Sequence, residues 1–176
     1  MDQLSEVRLR EFNSNDDSRL VEIANNPNIA KNMNYGFPSP YTLDDAKTLI
    51  RNALKSKENK VFAIEYKGSY VGNIGLFLGD GDNIKTAEIA YFIDQQFWSK
   101  GIATKAVKLI THYGFDKLEL FRIHTGVFEF NTSSMKVLEK SGFTKEGIFK
   151  AAVYKNNQII NQHRYSIINP NLTHLK

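Results

Sequence analysis

The stretch from residue 99 to residue 104, Ser-Lys-Gly-Ile-Ala-Thr, has the residue types that a phosphate-binding turn requires. It follows the apolar run 87–93 and opens a helix-like pattern, so its first backbone N–H groups would have no partners within the helix. Its small side chains let the backbone approach a ligand closely. The helix dipole and the ammonium groups of Lys100 and Lys105 add positive charge. The stretch therefore predicts a phosphate or pyrophosphate site, unless Gly101 only relieves crowding in an ordinary strand-to-helix turn.

The elements that position this turn are predicted from hydrophobic periodicity and from turn and capping residues. Strands are predicted at residues 7–12, 61–64, 70–77, 87–93, 123–128, 143–154 and 158–168. Four helices are predicted: a first that ends before residue 25, a second that begins at Thr42, a third from about 101 to 118 and a fourth from 131 to 141. Thr42 and Asp45 have the spacing of an acidic capping box, and residues 28–41 are expected to be irregular. This order predicts an α+β domain with a mixed sheet and helices on both faces.

Length and composition narrow the class of protein. A chain of 176 residues with 41% hydrophobic residues is large enough for one domain with a buried core, here assigned to residues 1–176. The chain contains no cysteine, which excludes disulfides, thiolate metal sites and a cysteine nucleophile. Its start lacks the pattern of a secretory leader, and no run is long enough to span a bilayer, so we expect a cytoplasmic protein without a membrane partner.

The charge pattern favours a small anionic ligand over a nucleic acid. The net charge is +4 and the pI is about 9.1, but the lysines are scattered in mixed stretches such as 55–60 rather than gathered in a basic block. The four histidines, His112, His124, His163 and His174, are far apart and lack the spacing of metal ligands. We therefore predict no nucleic-acid partner and no metal.

Two longer motifs carry a family resemblance. Ala-Glu-Ile-Ala-Tyr-Phe-Ile (87–93) and Trp-Ser-Lys-Gly-Ile-Ala-Thr-Lys-Ala (98–106) resemble the acetyl-CoA motif of the GNAT superfamily of N-acetyltransferases. Asn-Thr-Ser-Ser-Met-Lys-Val-Leu-Glu-Lys-Ser-Gly-Phe (131–143) resembles the second signature of that superfamily. The residues of both motifs most resemble those of the branch of ribosomal-protein N-terminal acetyltransferases. One residue departs from the general pattern: Trp98 stands where most members have Gln or Arg.

The resemblance implies a fold and a cofactor. It implies a GNAT-like central sheet of about seven strands in which the strand before the glycine turn and the strand after its helix splay apart, with acetyl-CoA in the wedge. Backbone groups of Phe92 and Ile93 would run beside the pantetheine amides. The pyrophosphate would lie on the turn, and Asn131, also a favourable helix N-cap, would touch the pantetheine arm. The residues implied in the pyrophosphate site are Ser99, Lys100, Gly101, Ile102, Ala103 and Thr104.

Acetyl transfer to an amine needs a base, a polarised carbonyl and a proton for the leaving thiolate. Glu88 is the predicted base because it lies on the strand that leads into the turn, among apolar neighbours; the alternative is a solvent-facing carboxylate on an alternating strand. Ser134 resembles the serine proposed as the proton donor in this branch. The tyrosine that the wider superfamily uses four residues later is replaced by Leu138.

The acceptor pocket is the part that the sequence defines least. Tyr35, Phe37 and Tyr41 are predicted to line it, as the corresponding loop does in relatives, with ordinary loop packing as the alternative. The acceptor is a small-molecule or peptide amine: a protein N-terminus, an amino sugar, a polyamine or an amino-acid derivative. Two other functions remain: a noncatalytic acyl-CoA sensor or interaction module, and a basic nucleic-acid-binding domain. The protein is expected to be a monomer or a homodimer.

Overall fold

A computed structural model describes residues 6–34, 36–56 and 59–172 of the chain. The strands are β1 (Val7–Arg10), β2 (Asn59–Tyr66), β3 (Ser69–Leu78), β4 (Thr86–Ile93), β5 (Arg122–Phe128), β6 (Thr144–Lys155) and β7 (Gln158–Ile168). The helices are α1 (Asp16–Ala24), α2 (Pro27–Ala30), α3 (Leu43–Lys55), α4 (Ile102–Lys117) and α5 (Thr132–Lys140). Short 3₁₀ helices lie at Gly81–Asn83 and Gln95–Phe97.

The strands form one seven-stranded sheet in the order β1-β2-β3-β4-β5-β7-β6. Neighbouring strands are antiparallel except β4 and β5, which are parallel and joined by the α4 crossover. A parallel pair requires such a crossover, whereas antiparallel strands can be joined by short turns. The mixed sheet with about seven strands is confirmed. The parallel pair lies at the centre of the sheet, and its first strand, β4, carries Glu88.

Alternation along the strands produces two apolar cores on opposite faces of the sheet. In β2, Ile64 packs into the core under α4 and α5, whereas the neighbouring Ala63 packs into the core under α1 and α3. The same division occurs in β4, where Ile93 belongs to the first core and Phe92 to the second. The helices therefore cover both faces, as predicted.

The segment between α1 and α3 contains one element that the sequence reasoning missed. Residues 28–41 were expected to be irregular, but Pro27–Ala30 forms the one-turn helix α2. Asn26 caps this helix by accepting from the N–H of Asn28, and proline is well suited to the first helical position. The capping box of Thr42 and Asp45 is present at the start of α3, as predicted.

The two hairpins close through turns that the sequence indicates. Lys67 and Gly68 both have positive φ between β2 and β3, and Asn156 and Asn157 both have positive φ between β6 and β7. Such two-residue turns match the twist of the flanking strands. No helix within residues 6–34, 36–56 and 59–172 is long and apolar enough to cross a membrane.

Candidate functional site

A cleft opens at the centre of the sheet because β4 and β5 separate. Their parallel pairing covers three positions, Thr86, Ala87 and Glu88 on β4, and its last pair is Glu88 with His124. Beyond this apex, β4 continues along β3 and β5 continues along β7. The resulting cleft has a volume of about 570 Å³. Its walls are formed by both strands, the start of α4, one face of α5 along its length, and the segment 28–34.

The pairing of β4 with β3 decides which peptide groups face the gap. The Asp94 N–H donates to the Val71 carbonyl over 2.8 Å, and in an antiparallel ladder such pairs alternate with pairs whose groups point outward. Phe92 is therefore turned toward β3, and Ile93 is turned toward the gap. The peptide groups of Phe92 therefore do not face the gap as predicted, although the residue lines the cleft. The Ile93 carbonyl accepts from the Trp98 indole N–H at 2.7 Å.

The predicted phosphate turn, residues 99–104, lies at the end of the cleft away from the apex at Glu88 and His124. Ser99 and Gly101 have φ of 60° and 77°, in the left-handed region. Lys105 donates its N–H to the Gly101 carbonyl, so the N–H groups before it have no partner within α4. Five of the six predicted residues line the cleft: Ser99, Gly101, Ile102, Ala103 and Thr104. The remaining one, Lys100, places its ammonium 5.1 Å from the centre of the Phe97 ring.

Two lysines of α5 add positive charge to this end of the cleft. Lys136 and Lys140 are exposed and line the cleft opposite the phosphate turn. They lie one helical turn apart, so their side chains share a face. Sequence reasoning missed them because single lysines on a helix are ordinary surface residues. Their i, i+4 spacing in the helix predicted within the second motif was the available signal.

Ser134 faces the cleft and contacts a residue that the sequence analysis did not single out. Its Oγ lies 2.8 Å from the Tyr91 hydroxyl, and that hydroxyl also lies 3.4 Å from the Ser134 carbonyl oxygen. Burial raises the pKa of Tyr91 to about 12, so the phenol stays protonated near neutral pH. Asn131 caps α5 by accepting from the Ser134 N–H at 3.2 Å, and Leu138 is fully buried in the core.

Glu88 lies at the apex of the wedge, half-buried and on the cleft wall. Within the described residues its carboxylate has no ion pair or side-chain hydrogen bond, which leaves it available to a ligand. His124 is its register partner on β5. Burial, followed by the positive charge of Arg164, lowers the pKa of His124 below its ordinary value of 6.5. The Arg164 guanidinium lies 3.3 Å from Nδ1 of His124.

The structure places two of the three predicted acceptor residues in the apolar core, which is the alternative left open by the sequence. Tyr41 is buried in the core under α1 and α3, and Phe37 packs there between Tyr41 and Phe92, with ring centres 5.1 and 6.0 Å away. Neither lines the cleft, because their rings close the apolar core instead of facing solvent. Tyr35 lies outside the described residues. The cleft wall of this region consists of earlier residues: Asn28, Ile29, Lys31, Asn32, Met33 and Asn34.

The histidines are separate from one another in the fold. His112 is on the surface of α4, 2.8 Å from Asp116, while His124 lies at the apex. Within the described residues no group of three or more His, Cys, Asp or Glu side chains is placed to hold a metal ion. His174 lies outside that part of the chain.

Comparison with known proteins decides what kind of protein carries this cleft. The sequence model of the family described as "Acetyltransferase (GNAT) domain" matches residues 6–144. The chain belongs to the GNAT family of acetyltransferases. The uncharacterized N-acetyltransferase p20 of Bacillus licheniformis is 30% identical over 169 residues, which are 92% of this chain and 92% of p20. This GNAT protein is accordingly an N-acetyltransferase.

Two further similar proteins have a named substrate or bound ligands. The spermidine N(1)-acetyltransferase of Escherichia coli strain K12 is 27% identical over 162 residues, 92% of this chain and 85% of that enzyme. The structure of the microcin C7 self-immunity acetyltransferase MccE, in complex with acetyl-CoA and AMP, superposes with a TM-score of 0.79. It is 26% identical and covers 93% of each chain. The GNAT-like fold expected from the sequence is confirmed.

The electrostatics of the apex lead to a first prediction. The imidazole of His124 should titrate below 6.5, and Arg164→Gln should raise its pKa because a nearby positive charge is removed. In the wild type, the lowered pKa means that His124 binds a proton less readily in the folded state than in the unfolded state. The free energy of unfolding should therefore decrease as the pH falls below 6.5. Proton NMR titration, with His124→Gln to assign the signal, measures the pKa. An unchanged value in Arg164→Gln would contradict this electrostatic account.

Proposed function

We propose that this GNAT protein transfers the acetyl group of acetyl-CoA to a primary amine by direct attack. The observation that carries the proposal is the wedge itself: one end presents unpartnered helix N–H groups, and the other ends at an unpaired carboxylate. Glu88 lies beside His124 at the apex, and we assign the acetyl transfer to this end of the cleft. Acetyl-CoA supplies an activated thioester when it is bound.

The residues of the cleft fit the donor along its length. The N–H groups before Lys105 and the positive end of α4 suit a pyrophosphate, and Lys136 and Lys140 line the same end. The outward-facing N–H of Ile93 on β4 suits a carbonyl of the pantetheine arm, whose amide spacing resembles that of a neighbouring strand. Asn131 uses its Oδ1 as a helix cap, which leaves its amide NH₂ free to donate.

Glu88 is the proposed base. The acceptor arrives as an ammonium ion, and its nitrogen must lose a proton before it can form a bond to the acetyl carbon. An unpaired carboxylate at the apex can accept that proton directly or through one water. The lowered pKa of His124 keeps the neighbouring imidazole neutral at pH 7, so it does not bind the Glu88 carboxylate as a permanent counter-ion.

Ser134 and Tyr91 are the proposed donors for the leaving sulfur. As the carbon–sulfur bond breaks, the sulfur gains the electron pair and needs a hydrogen-bond donor or a proton. A serine hydroxyl alone is a weak acid, but the Tyr91 hydroxyl 2.8 Å away can donate to its oxygen and so leave the serine hydrogen free to face the cleft. A proton passed from serine to sulfur would be replaced from the phenol or from water.

The relatives leave the acceptor class open. A spermidine acetyltransferase and an acetyltransferase crystallised with AMP both resemble this chain, although spermidine and AMP differ in charge. The chief rival function is a noncatalytic acyl-CoA sensor, which the buried Leu138 at the usual acid position favours. The experiments below separate the two, because a sensor binds the donor but releases no thiol.

A prediction for the donor concerns Gly101. Gly101→Ala should weaken CoA binding by about ten-fold or more, because a Cβ disfavours the left-handed backbone that aims the N–H groups. Calorimetric titration with CoA measures the affinity. Gly81→Ala is the matched control, since Gly81 also has positive φ, at 51°, but lies outside the cleft. Equal CoA affinity in both variants would count against the phosphate turn.

A prediction for the base concerns Glu88. Glu88→Gln should reduce kcat/KM for the acceptor by about 100-fold, the effect expected for loss of a general base, while CoA affinity stays the same. Thiol release from acetyl-CoA measures the rate against a panel of amines and peptides. Glu119→Gln, at a side chain that is 80% exposed on the surface, serves as the control. Donor binding without acceptor-dependent release in the wild type would favour the sensor.

A prediction for the leaving group concerns Tyr91. Tyr91→Phe should lower kcat by roughly 10-fold while KM changes little, because the lost hydrogen bond matters most when charge develops on sulfur. Ser134→Ala should have a similar effect, and the double variant should be little worse than either single one if the two hydroxyls act as a unit. Tyr113→Phe is the control. Fully additive losses would show that Tyr91 acts independently of Ser134.

A further inference from the structure

On one half of the sheet face that carries Glu88, the side chains of His124, Gln162 and Arg164 are only partly buried. On β5 and β7, alternation places His124 and Phe128 of β5 on this face together with Arg164 and Gln162 of β7. The helices α1 and α3 pack on the β2 and β3 part of the same face. Phe149 of β6, the partner of Gln162, is 56% exposed. An acceptor can therefore approach the apex across this surface.

Some charged groups of this surface are paired with one another, and others have no counter-ion. Glu146 is neutralised by a bidentate ion pair with Arg122 and accepts from the Ser166 hydroxyl at 2.7 Å. These contacts, led by Arg122, hold the pKa of Glu146 at about 2. Glu88 is then the unpaired carboxylate at the apex, and Arg164 lies beside its neighbour His124. Within residues 6–34, 36–56 and 59–172, Arg164 has no carboxylate within 4 Å.

The Arg164 guanidinium is held in place by uncharged groups. It donates to the Gln162 side-chain oxygen at 3.2 Å, contacts Nδ1 of His124 at 3.3 Å and lies 5.5 Å from the centre of the Phe149 ring. Gly126 makes room for this arrangement, because a Cβ there would lie 2.3 Å from the Gln162 side chain. A guanidinium has five N–H donors, so several remain for a ligand.

A second cation lies where this surface meets the cleft wall. The Lys155 ammonium donates to the Met33 carbonyl and lies 5.1 Å from the centre of the Phe128 ring. Met33 and Phe128 both line the cleft. Lys155 therefore joins the β6–β7 hairpin to the loop that forms the acceptor side of the wall, and it adds to the positive potential there.

We propose that Arg164, supported by Lys155, binds an anionic group of the acceptor, so that the physiological acceptor is an amine that also carries a carboxylate or a phosphate. This inference rests on the proposed function. Such a molecule would place its ammonium at Glu88 and its anion at Arg164, on either side of the neutral His124. A guanidinium suits both carboxylate and phosphate, since its paired N–H groups match their oxygens.

The same charges select against other acceptors. A polyamine such as spermidine has further positive charges, which would meet Arg164 and Lys155 after the first amine has reached Glu88. Like charges at close range in a partly desolvated site reduce affinity, and this repulsion contributes to specificity as much as the attraction does. A neutral amine would leave the guanidinium without a counter-ion but would suffer no repulsion. The expected order is anionic, then neutral, then polycationic acceptors.

The test is thiol release by the full chain with acceptors that differ only in the anion. Suitable pairs are phosphoethanolamine with ethanolamine and β-alanine with β-alaninamide, with spermidine as the polycation. We expect kcat/KM to be at least about ten-fold higher for the anionic member of one pair or both, as for a charge-assisted contact. The pair that shows the difference distinguishes phosphate from carboxylate. An equal or higher value for the neutral amines or for spermidine would overturn the inference.

Variants assign the effect to Arg164. Arg164→Gln should raise KM for the anionic acceptor by about ten-fold or more and change kcat little, while values for the neutral partner stay within about two-fold. Arg164→Lys should restore part of the loss, and Arg51→Gln, on the exposed surface of α3, should change nothing. A uniform loss for all acceptors in Arg164→Gln would mean a structural role and would overturn the proposal.

The controls keep this failure apart from failure of the proposed function. CoA affinity and thermal unfolding report whether each variant is folded with an intact donor site. If Arg164→Gln does not fold, the wild-type comparison of the matched acceptors still decides the question. If acetyl-CoA binds but none of the acceptors releases thiol, the proposed function fails and the inference fails with it. If neutral amines are acetylated best, the enzyme stands and only the anion site is wrong.

Discussion

The separation of β4 from β5 is the constraint on which the rest of the molecule depends. Three residue pairs hold the strands together, and beyond them each strand continues with one partner instead of two. Backbone N–H and C=O groups that lose a strand partner must find another. The Trp98 indole satisfies the carbonyl of Ile93, so the residue that departs from the general motif fixes the start of the phosphate turn to the end of β4. The remaining outward groups are available to a ligand.

The separation also divides the site into two electrostatic regions. The donor end has the positive end of α4 together with Lys136 and Lys140, which suits phosphates. The apex has one carboxylate, a neutral imidazole and a guanidinium in neighbouring positions across β4, β5 and β7. Because the strands fix these positions, the arrangement is determined by register rather than by flexible loops. In the proposed function, a single scaffold would thus offer a general anion site to the donor and a more selective surface to the acceptor.

The donor end could be predicted from the sequence because its elements are local. The turn at Gly101 and the cap at Asn131 depend on residues that are near one another in the chain, and the structure forms both. The contact between Tyr91 and Ser134 joins residues 43 positions apart, and it depends on the register of β4 and the rotation of α5. The position of Phe37 could not be chosen from the sequence for a related reason: aromatic residues in a loop suit a binding pocket and an apolar core equally well, and only the packing, here against the second core, distinguishes them.

Because Leu138 replaces the usual acid, the leaving sulfur must receive its hydrogen bond or proton from another group. Leu138 is fully buried, so this turn of α5 contributes to the core and not to the cleft. The hydroxyls proposed to replace the usual acid are those of Ser134, one turn earlier, and Tyr91 on the facing strand, which lie 2.8 Å apart. Burial raises the pKa of Tyr91 to about 12, which makes the phenol a poor acid but a permanent hydrogen-bond donor. A pair of this kind stabilises developing negative charge by orientation rather than by rapid proton release, as fixed donors in other acyl-transfer sites do.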